Sequence, residues 1–269
     1  MPVLSTVGGA SLRAFGAFLP VGSTATFIAA SGGTETTSGN YKYHTFTSSD
    51  NFVVTAAPSG RYIDILLVGA GGTSGGSSTG GGGGVKIREG ESIGLGTYGI
   101  TVGQPVNGAG SNGGNTIAIG LTALGGGGGG IDGFPDNYVA GKSGGSGGGS
   151  AAISQGPAGN PYASAAGAGL QPTSASGGFG NAGGQGTLIP IGNPVTGYTM
   201  SGGAGGGAGG AASAYTAGPG KSGSPLSSAL YGGGGSSSFT PSANTGWGGT
   251  DATNNDATAG IVIIRYLYQ

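Results

Sequence analysis

The chain has 269 residues, of which 71 are Gly, against a usual share of about 7%. Charged residues make up 6% of it, with 8 Lys and Arg against 9 Asp and Glu, so neither a basic nucleic-acid binder nor an acidic tail is encoded, since both work through charge excess. The chain has no Cys and a single His, which excludes a disulfide framework, a thiolate zinc site and a cysteine nucleophile.

Helix formers such as Glu, Lys, Arg and Met are scarce, and each Gly costs a helix about 1 kcal/mol relative to Ala. The expected fold is therefore all-β with almost no α-helix. A collagen repeat needs a strict period of three with abundant Pro, whereas the 13 Pro are scattered and the glycines run in uneven blocks. No apolar run reaches the 18 residues of a membrane-spanning helix. The start of the chain lacks the basic region of a signal peptide, so the expectation is an unprocessed protein that is not exported and not inserted in a membrane.

In chain order, residues 1–30 read as a non-repetitive attachment arm. YKYHTF then alternates, with Tyr41, Tyr43 and Thr45 on one face and Lys42, His44 and Phe46 on the other, and a Ser-Ser-Asp-Asn turn leads into Phe52 to Thr55. This predicts a β-hairpin. RYIDILLVG places Ile63, Ile65 and Leu67 on one side and Tyr62, Leu66 and Val68 on the other, the pattern of a strand buried on both faces, with Asp64 as the exception. Further strands are expected at Val85 to Arg88, Tyr98 to Val102, Thr116 to Ile119 and in the run Gly260 to Tyr266. The whole reads as a small antiparallel β-sandwich-like unit over 31–125, closed by a strand at 260–268, with a glycine-rich lobe inserted over 126–259.

Side-chain burial cannot order that lobe, because glycine loses the most backbone freedom and has nothing to bury. Backbone pairing can: extended polyglycine-II-like segments, with three residues per turn, approach closely enough to hydrogen-bond their neighbours. Runs such as SGGSGGGS at 143–150 and GGAGGGAGG at 202–210 fit rods of this kind, joined by inserts that carry aromatic residues.

Several motifs invite a catalytic reading and fail it. ILLVGAGG resembles the opening of a dinucleotide site, but position 74 is Ser and GGTSGGSSTGGGGG cannot form the helix whose N-terminus would hold the pyrophosphate. Gly141-Lys142-Ser143 and Gly220-Lys221-Ser222 lack the earlier glycine of a P-loop, having Asp136 and Tyr215 there. His44 has no second His or carboxylate cluster and reads as a hydrogen-bonded residue of a β-hairpin. The pairs Asp132 with Asp136 and Asp251 with Asp256 read as turn chemistry. No catalytic residue, cofactor or metal is expected. The remaining signal is the aromatics of the inserts, because rigid amphipathic rings beside Gly, Ser and Asn give contact area at low entropic cost. Phe134, Asp136, Tyr138, Tyr162, Tyr198 and Trp247 are the candidate receptor-contact residues.

Taken in order, YHTFTSSDNFVVT, IDILLVGAGG, GGGGVKI, LGTYGITVG, GGNTIAIGLTALGGGGGG, YGGGGSSS and GIVIIRY resemble the glycine-rich domain of bacteriophage tail and fibre proteins. More loosely, the glycine blocks look like the polyglycine-II bundles of fibre-tip adhesins of some T-even-like phages, in which loops at the bundle end touch the host. The resemblance implies a non-enzymatic virion protein of the tail or fibre. It would bind other virion proteins through the arm and a host glycan or outer-membrane protein through its loops, and it could be a homo-oligomer. A purely structural fibre or decoration subunit and, further off, an ice-binding protein are the alternatives; for the last, the threonines lack regular spacing.

Overall fold

The structure, a computed structural model, describes residues 25–76, 78–133, 137–153, 162–163, 165–171, 178–180, 187–191, 197–201, 205–212, 216–235, 242–250 and 256–269. Nineteen strands and no helix are found among them. Three strands, β1 (Ala29–Ser31), β4 (Asp50–Ala56) and β7 (Gly96–Ile100), form one sheet in the order β1-β4-β7. Six others form a second sheet: β2 (Thr34–Ser38), β3 (Tyr41–Phe46), β5 (Tyr62–Val68), β6 (Val85–Ser92), β14 (Gly178–Phe179) and β19 (Ile261–Leu267), in the order β14-β6-β5-β19-β3-β2. All pairings in both sheets are antiparallel.

The two sheets stack as a sandwich. Phe46, Ile63, Ile65, Leu67, Val262, Ile264 and Tyr266 of the larger sheet meet Ile28, Phe52, Val54, Ile100 and Val102 in one core. Leu66, Val68, Val85, Ile261 and Ile263, on the opposite face of that sheet, pack against Ala208, Leu226 and Tyr231 of the later chain. β5 is thus buried on both faces from Ile63 onward, whereas Tyr62, expected on the second face with Leu66 and Val68, is exposed because it opens the strand at the edge of the core. Asp64 sits opposite Arg265 of β19, whose Nε donates to it at 2.9 Å, while its second oxygen accepts from Gly90 N at 2.9 Å. That pairing accounts for a carboxylate in an otherwise apolar strand.

The hairpin expected between Tyr41 and Thr55 does not form. β3 pairs with β19 and β2, and β4 pairs with β1 and β7, so the Ser-Ser-Asp-Asn bend carries the chain from one sheet to the other. The alternation holds, but His44, Phe46, Phe52 and Val54 bury their shared sides by facing each other across the sandwich. The sandwich also begins earlier than the sequence indicated, because Ile28 is in its core and β1 starts at Ala29.

Beyond Val68 the chain stops alternating but keeps its partner. Val68 pairs with Val85, and the same register continues as Gly69 N to Gly84 O, Gly72 N to Gly81 O and Gly75 N to Ser78 O, at 2.9 to 3.0 Å. The intervening N–H groups point elsewhere: Ala70 and Thr73 donate to Gly114 and Ser111, and Gly71 donates to Thr258. Successive residues therefore bond to three different neighbours and return to the first after three residues, as a three-fold polyglycine-II helix requires. Residues 124–130 repeat the pattern, with Gly126 and Gly129 donating to Ala70 and Thr73, and Gly127 and Gly130 to Ser146 and Gly149; Gly125 and Gly128 donate to the side-chain oxygens of Asn115 and Asn112.

Residues 78–84 form the axis of this bundle. They exchange hydrogen bonds with six surrounding segments, at 69–75, 124–130, 146–149, 205–206, 232–235 and 246–249. Six neighbours around one rod is hexagonal packing, and along 80–84 it leaves no room for side chains. A Cβ on Gly81 would lie 2.4 Å from Ser146 O, on Gly83 1.9 Å from Gly69 O, and on Gly126 2.0 Å from Gly81 O. The lobe is therefore not confined to residues 126–259. Its axial rod and that rod's first neighbour come from 69–84, as extensions of β5 and β6.

Candidate functional site

The rods leave the sandwich at Val68, Val85 and Ile261, and the seven residues 69–75, at about 3.1 Å each, carry the bundle roughly 20 Å outward. Hairpins open at the far end. β10 (Ile131–Gly133) and β11 (Asn137–Val139) form one, directly after Gly130, whose N–H is bonded to Gly149. β12 (Ala152–Ile153) and β13 (Tyr162–Ala163) form the next, and the chain re-enters the bundle where Gly141 N meets Ala165 O. A third, β15 (Thr187–Ile191) with β16 (Gly197–Ser201), lies beside the second, β15 near β13 and β16 near β12. β8 (Thr116–Ala118) with β9 (Leu121–Ala123), and β17 (Lys221–Ser222) with β18 (Leu230–Tyr231), stay next to the sandwich, where Ala118, Ala123 and Tyr231 join its two cores.

The candidate contact residues divide accordingly. Tyr138 pairs with Asp132 in the first hairpin, Tyr162 with Ile153 in the second and Tyr198 with Pro190 in the third, so the fold brings three of the six to one end of the bundle. Phe134 and Asp136 lie outside the described residues. Trp247 does not join them. It belongs to a rod nearer the sandwich, where its Nε1 donates to Leu230 O at 3.4 Å and its ring covers Gly233, a Cβ on which would lie 2.4 Å from the ring. The half-buried Trp247 is accommodated by a glycine in the facing rod, and the sequence offered no sign of that partner. Segments 131–139, 152–163 and 187–201 contain no Lys or Arg, and Asp132 and Asp136 are their only charges.

Of the remaining polar groups that the sequence singles out, His44, Asp256 and Lys221 have described side-chain contacts. His44 is buried, with Nδ1 2.8 Å from Gly32 O and Nε2 3.0 Å from the Tyr266 hydroxyl, against which its ring stacks. A carbonyl only accepts, so Nδ1 carries the proton and Nε2 accepts from Tyr266. Burial lowers the His44 pKa and pushes the Tyr266 phenol up to about 12, which keeps the ring neutral and the hydroxyl protonated. Asp256 accepts from Thr250 N at 2.8 Å and from its hydroxyl, while Asp251 lies outside the described residues. Gly69 and Gly71 belong to a rod. Lys221 stands over the Phe179 ring at 4.4 Å. No group of three or more His, Cys, Asp or Glu that could hold a metal is found among the described residues.

A cleft lined by Tyr41, Arg61, Tyr62, Asp64 and Tyr266 lies at the sandwich end away from the hairpins. Its charged groups are engaged: Arg61 donates to Thr26 O and covers the Phe27 ring, and Asp64 is held by Arg265. The segment from residue 25 therefore meets the sandwich at that end, opposite the hairpins. The glycine-rich domain family matches residues 45–267. No curated protein matches the chain.

Proposed function

We propose that this chain, which belongs to the glycine-rich domain family, is a bacteriophage virion protein of the tail fibre or tail tip, with no enzymatic role, whose hairpin-bearing end touches the host surface. The observation that supports this most is the polarity of the molecule. Three hairpins carrying Tyr138, Tyr162 and Tyr198 gather at one end of a stiff bundle, and residues 26–29 dock at the other. On this reading the arm attaches to other virion proteins and the hairpins meet a glycan or an outer-membrane protein. With no basic residue in the hairpin segments, attraction to anionic polymers contributes little, and contact rests on shape, aromatic area and hydrogen bonding. Such binding is only weakly sensitive to salt, and copy number multiplies it into avidity.

The test is electron microscopy of particles labelled with an antibody against residues 126–258, together with adsorption of particles carrying Tyr138→Ala, Tyr162→Ala and Tyr198→Ala. Label at a tail or fibre tip and an adsorption loss of about tenfold or more, the size expected for truncated aromatic anchors, support the reading. Label over the head or tail shaft, with adsorption unchanged, replaces it with a purely structural subunit. A particle without label overturns the virion assignment.

A further inference from the structure

The chain contains two Asn-Gly peptides, Asn107-Gly108 and Asn112-Gly113, and the structure treats them in opposite ways. Asn112 is locked between rods: its Oδ1 accepts from Gly128 N at 3.0 Å and its Nδ2 donates to Ser143 O at 2.9 Å, while Gly113 N donates to Gly126 O at 2.9 Å. Asn107 is exposed in the bend that leaves the sandwich at Gln104 and rejoins the rods at Gly110 and Ser111, and neither its side chain nor the Gly108 N–H has a hydrogen-bond partner among the described residues. Gly108 has φ of 112°, a conformation in which glycine is the residue at ease. The bend reaches outward along the bundle, since Gly110 N donates to Ser74 O at 2.6 Å, and a Cβ on Gly110 would touch Ile131 at the base of the first hairpin.

We infer that Asn107 is a site of spontaneous covalent modification, deamidating through a succinimide while Asn112 is protected. The Gly108 nitrogen loses its proton and attacks Cγ of Asn107, forming a C–N bond, and the side-chain amide nitrogen leaves as ammonia. Water then opens the five-membered imide at either carbonyl, giving aspartate or isoaspartate. One water is consumed, one ammonia is released, and no oxidant or reductant takes part. Two conditions govern the reaction: the following residue must lack a Cβ that hinders attack, and its nitrogen must be free to deprotonate. Both Asn-Gly peptides meet the first, and only Asn107 meets the second. The product adds a negative charge on the bend whose Gly110 lies beside Ile131, at the base of the hairpin carrying Asp132, and, in its isoaspartyl form, a methylene to the backbone.

The test is incubation of the folded full-length protein at neutral pH and physiological temperature over days to weeks. Fragment-ion mass spectrometry then localises the gain of about one dalton, and labelling by an isoaspartyl methyltransferase serves as a second readout. The expected result is modification at 107 and none at 112 in the folded protein, modification of both in urea, and loss of the folded-state signal in Asn107→Gln. Equal rates at the two positions in the folded protein, or an unmodified Asn107 under conditions where the unfolded chain reacts, would overturn the inference.

Discussion

Gly82→Ala tests whether the glycine blocks are a packed lattice or a linker. Two effects oppose each other. Alanine removes freedom from the unfolded chain, which alone stabilises by about 0.4–1 kcal/mol. In the bundle, however, the new methyl would lie 2.0 Å from Gly232 O and 2.6 Å from Gly233 O. Backbone cannot yield as a flexible side chain can, so the rod at 232–235 must move away by about an ångström, the shortfall from ordinary van der Waals separation. That displacement breaks Gly235 N to Gly80 O, at 2.9 Å, and strains Ala208 N to Gly232 O, at 2.7 Å. Two buried peptide groups left unsatisfied cost about 1–3 kcal/mol each, so the net loss is roughly 2–5 kcal/mol after the entropic gain is subtracted. At 2–4 °C per kcal/mol for a chain of this size, the melting midpoint falls by about 4–20 °C. Trp247 is the only tryptophan and covers Gly233 in the displaced rod, so its fluorescence follows the melting of the bundle. Gly99→Ala is the control, because a Cβ there meets nothing within 4 Å. Its midpoint should hold or rise, since glycine in a strand weakens it. Equal midpoints for the two variants would refute the lattice.

Two further outcomes follow from single side chains. The Thr79 hydroxyl donates to Gly235 O at 2.8 Å and accepts from Gly205 N at 2.7 Å, so Thr79→Val leaves both groups unpaired between rods. We expect a loss of about 2–4 kcal/mol in chemical unfolding, with Thr79→Ser restoring most of it; equal stability of the valine and serine variants would show that the hydroxyl bridge is not formed. For His44, the folded pKa lies below the ordinary 6.5 because the ring is buried, against the opposing pull of the Gly32 carbonyl and Glu35 and with the help of Lys42. The unfolded chain therefore binds more protons as pH falls through 6.5, and stability that is complete above that value is lost below it. Denaturant midpoints measured against pH should decline on the acid side of 6.5, and in His44→Gln this decline should flatten whatever the variant's absolute stability; an unchanged slope would assign it to other groups.

Legibility in the sequence followed the side chains. β5 and β19 were readable because Ile63, Ile65 and Leu67 alternate with Leu66 and Val68, and because Ile261 to Ile264 form an unbroken apolar run. Which strands pair was not readable for β3 and β4, since an alternating pattern says that Phe46 and Phe52 face inward and is silent on whether they lie side by side or across a core. Rods were readable as a class from composition and the entropy argument. Their membership was not, because Gly72 and Gly81 carry no feature that distinguishes an axial rod from a turn between strands. Trp247 shows the same limit from the other side: a ring beside glycines says nothing in the sequence of the facing Gly233 that makes room for it.

That silence bears on how the bundle acquires one arrangement. A glycine rod has no side chain to fix its register, and a slip by one turn of three residues would reproduce the same hydrogen bonds, just as featureless strands are prone to slippage. The sandwich removes the ambiguity. Val68, Val85 and Ile261 are fixed by burial in an apolar core, each such side chain contributing roughly 1.5–3 kcal/mol, and the chain runs from them directly into the rods at 69–75, 78–84 and 256–260. Gly69 meets Gly84 because Val68 meets Val85, and Gly71 meets Thr258 because Val68 meets Ile261. Register set by side-chain packing is thereby carried outward into segments that could not set it themselves. Hydroxyl and amide bridges from Thr73, Thr79, Asn112 and Asn115 repeat the constraint further along the bundle. The hairpins open where that propagated register ends, so the positions of Tyr138 and Tyr162 depend on packing roughly 20 Å away in the sandwich, at about 3.1 Å per rod residue.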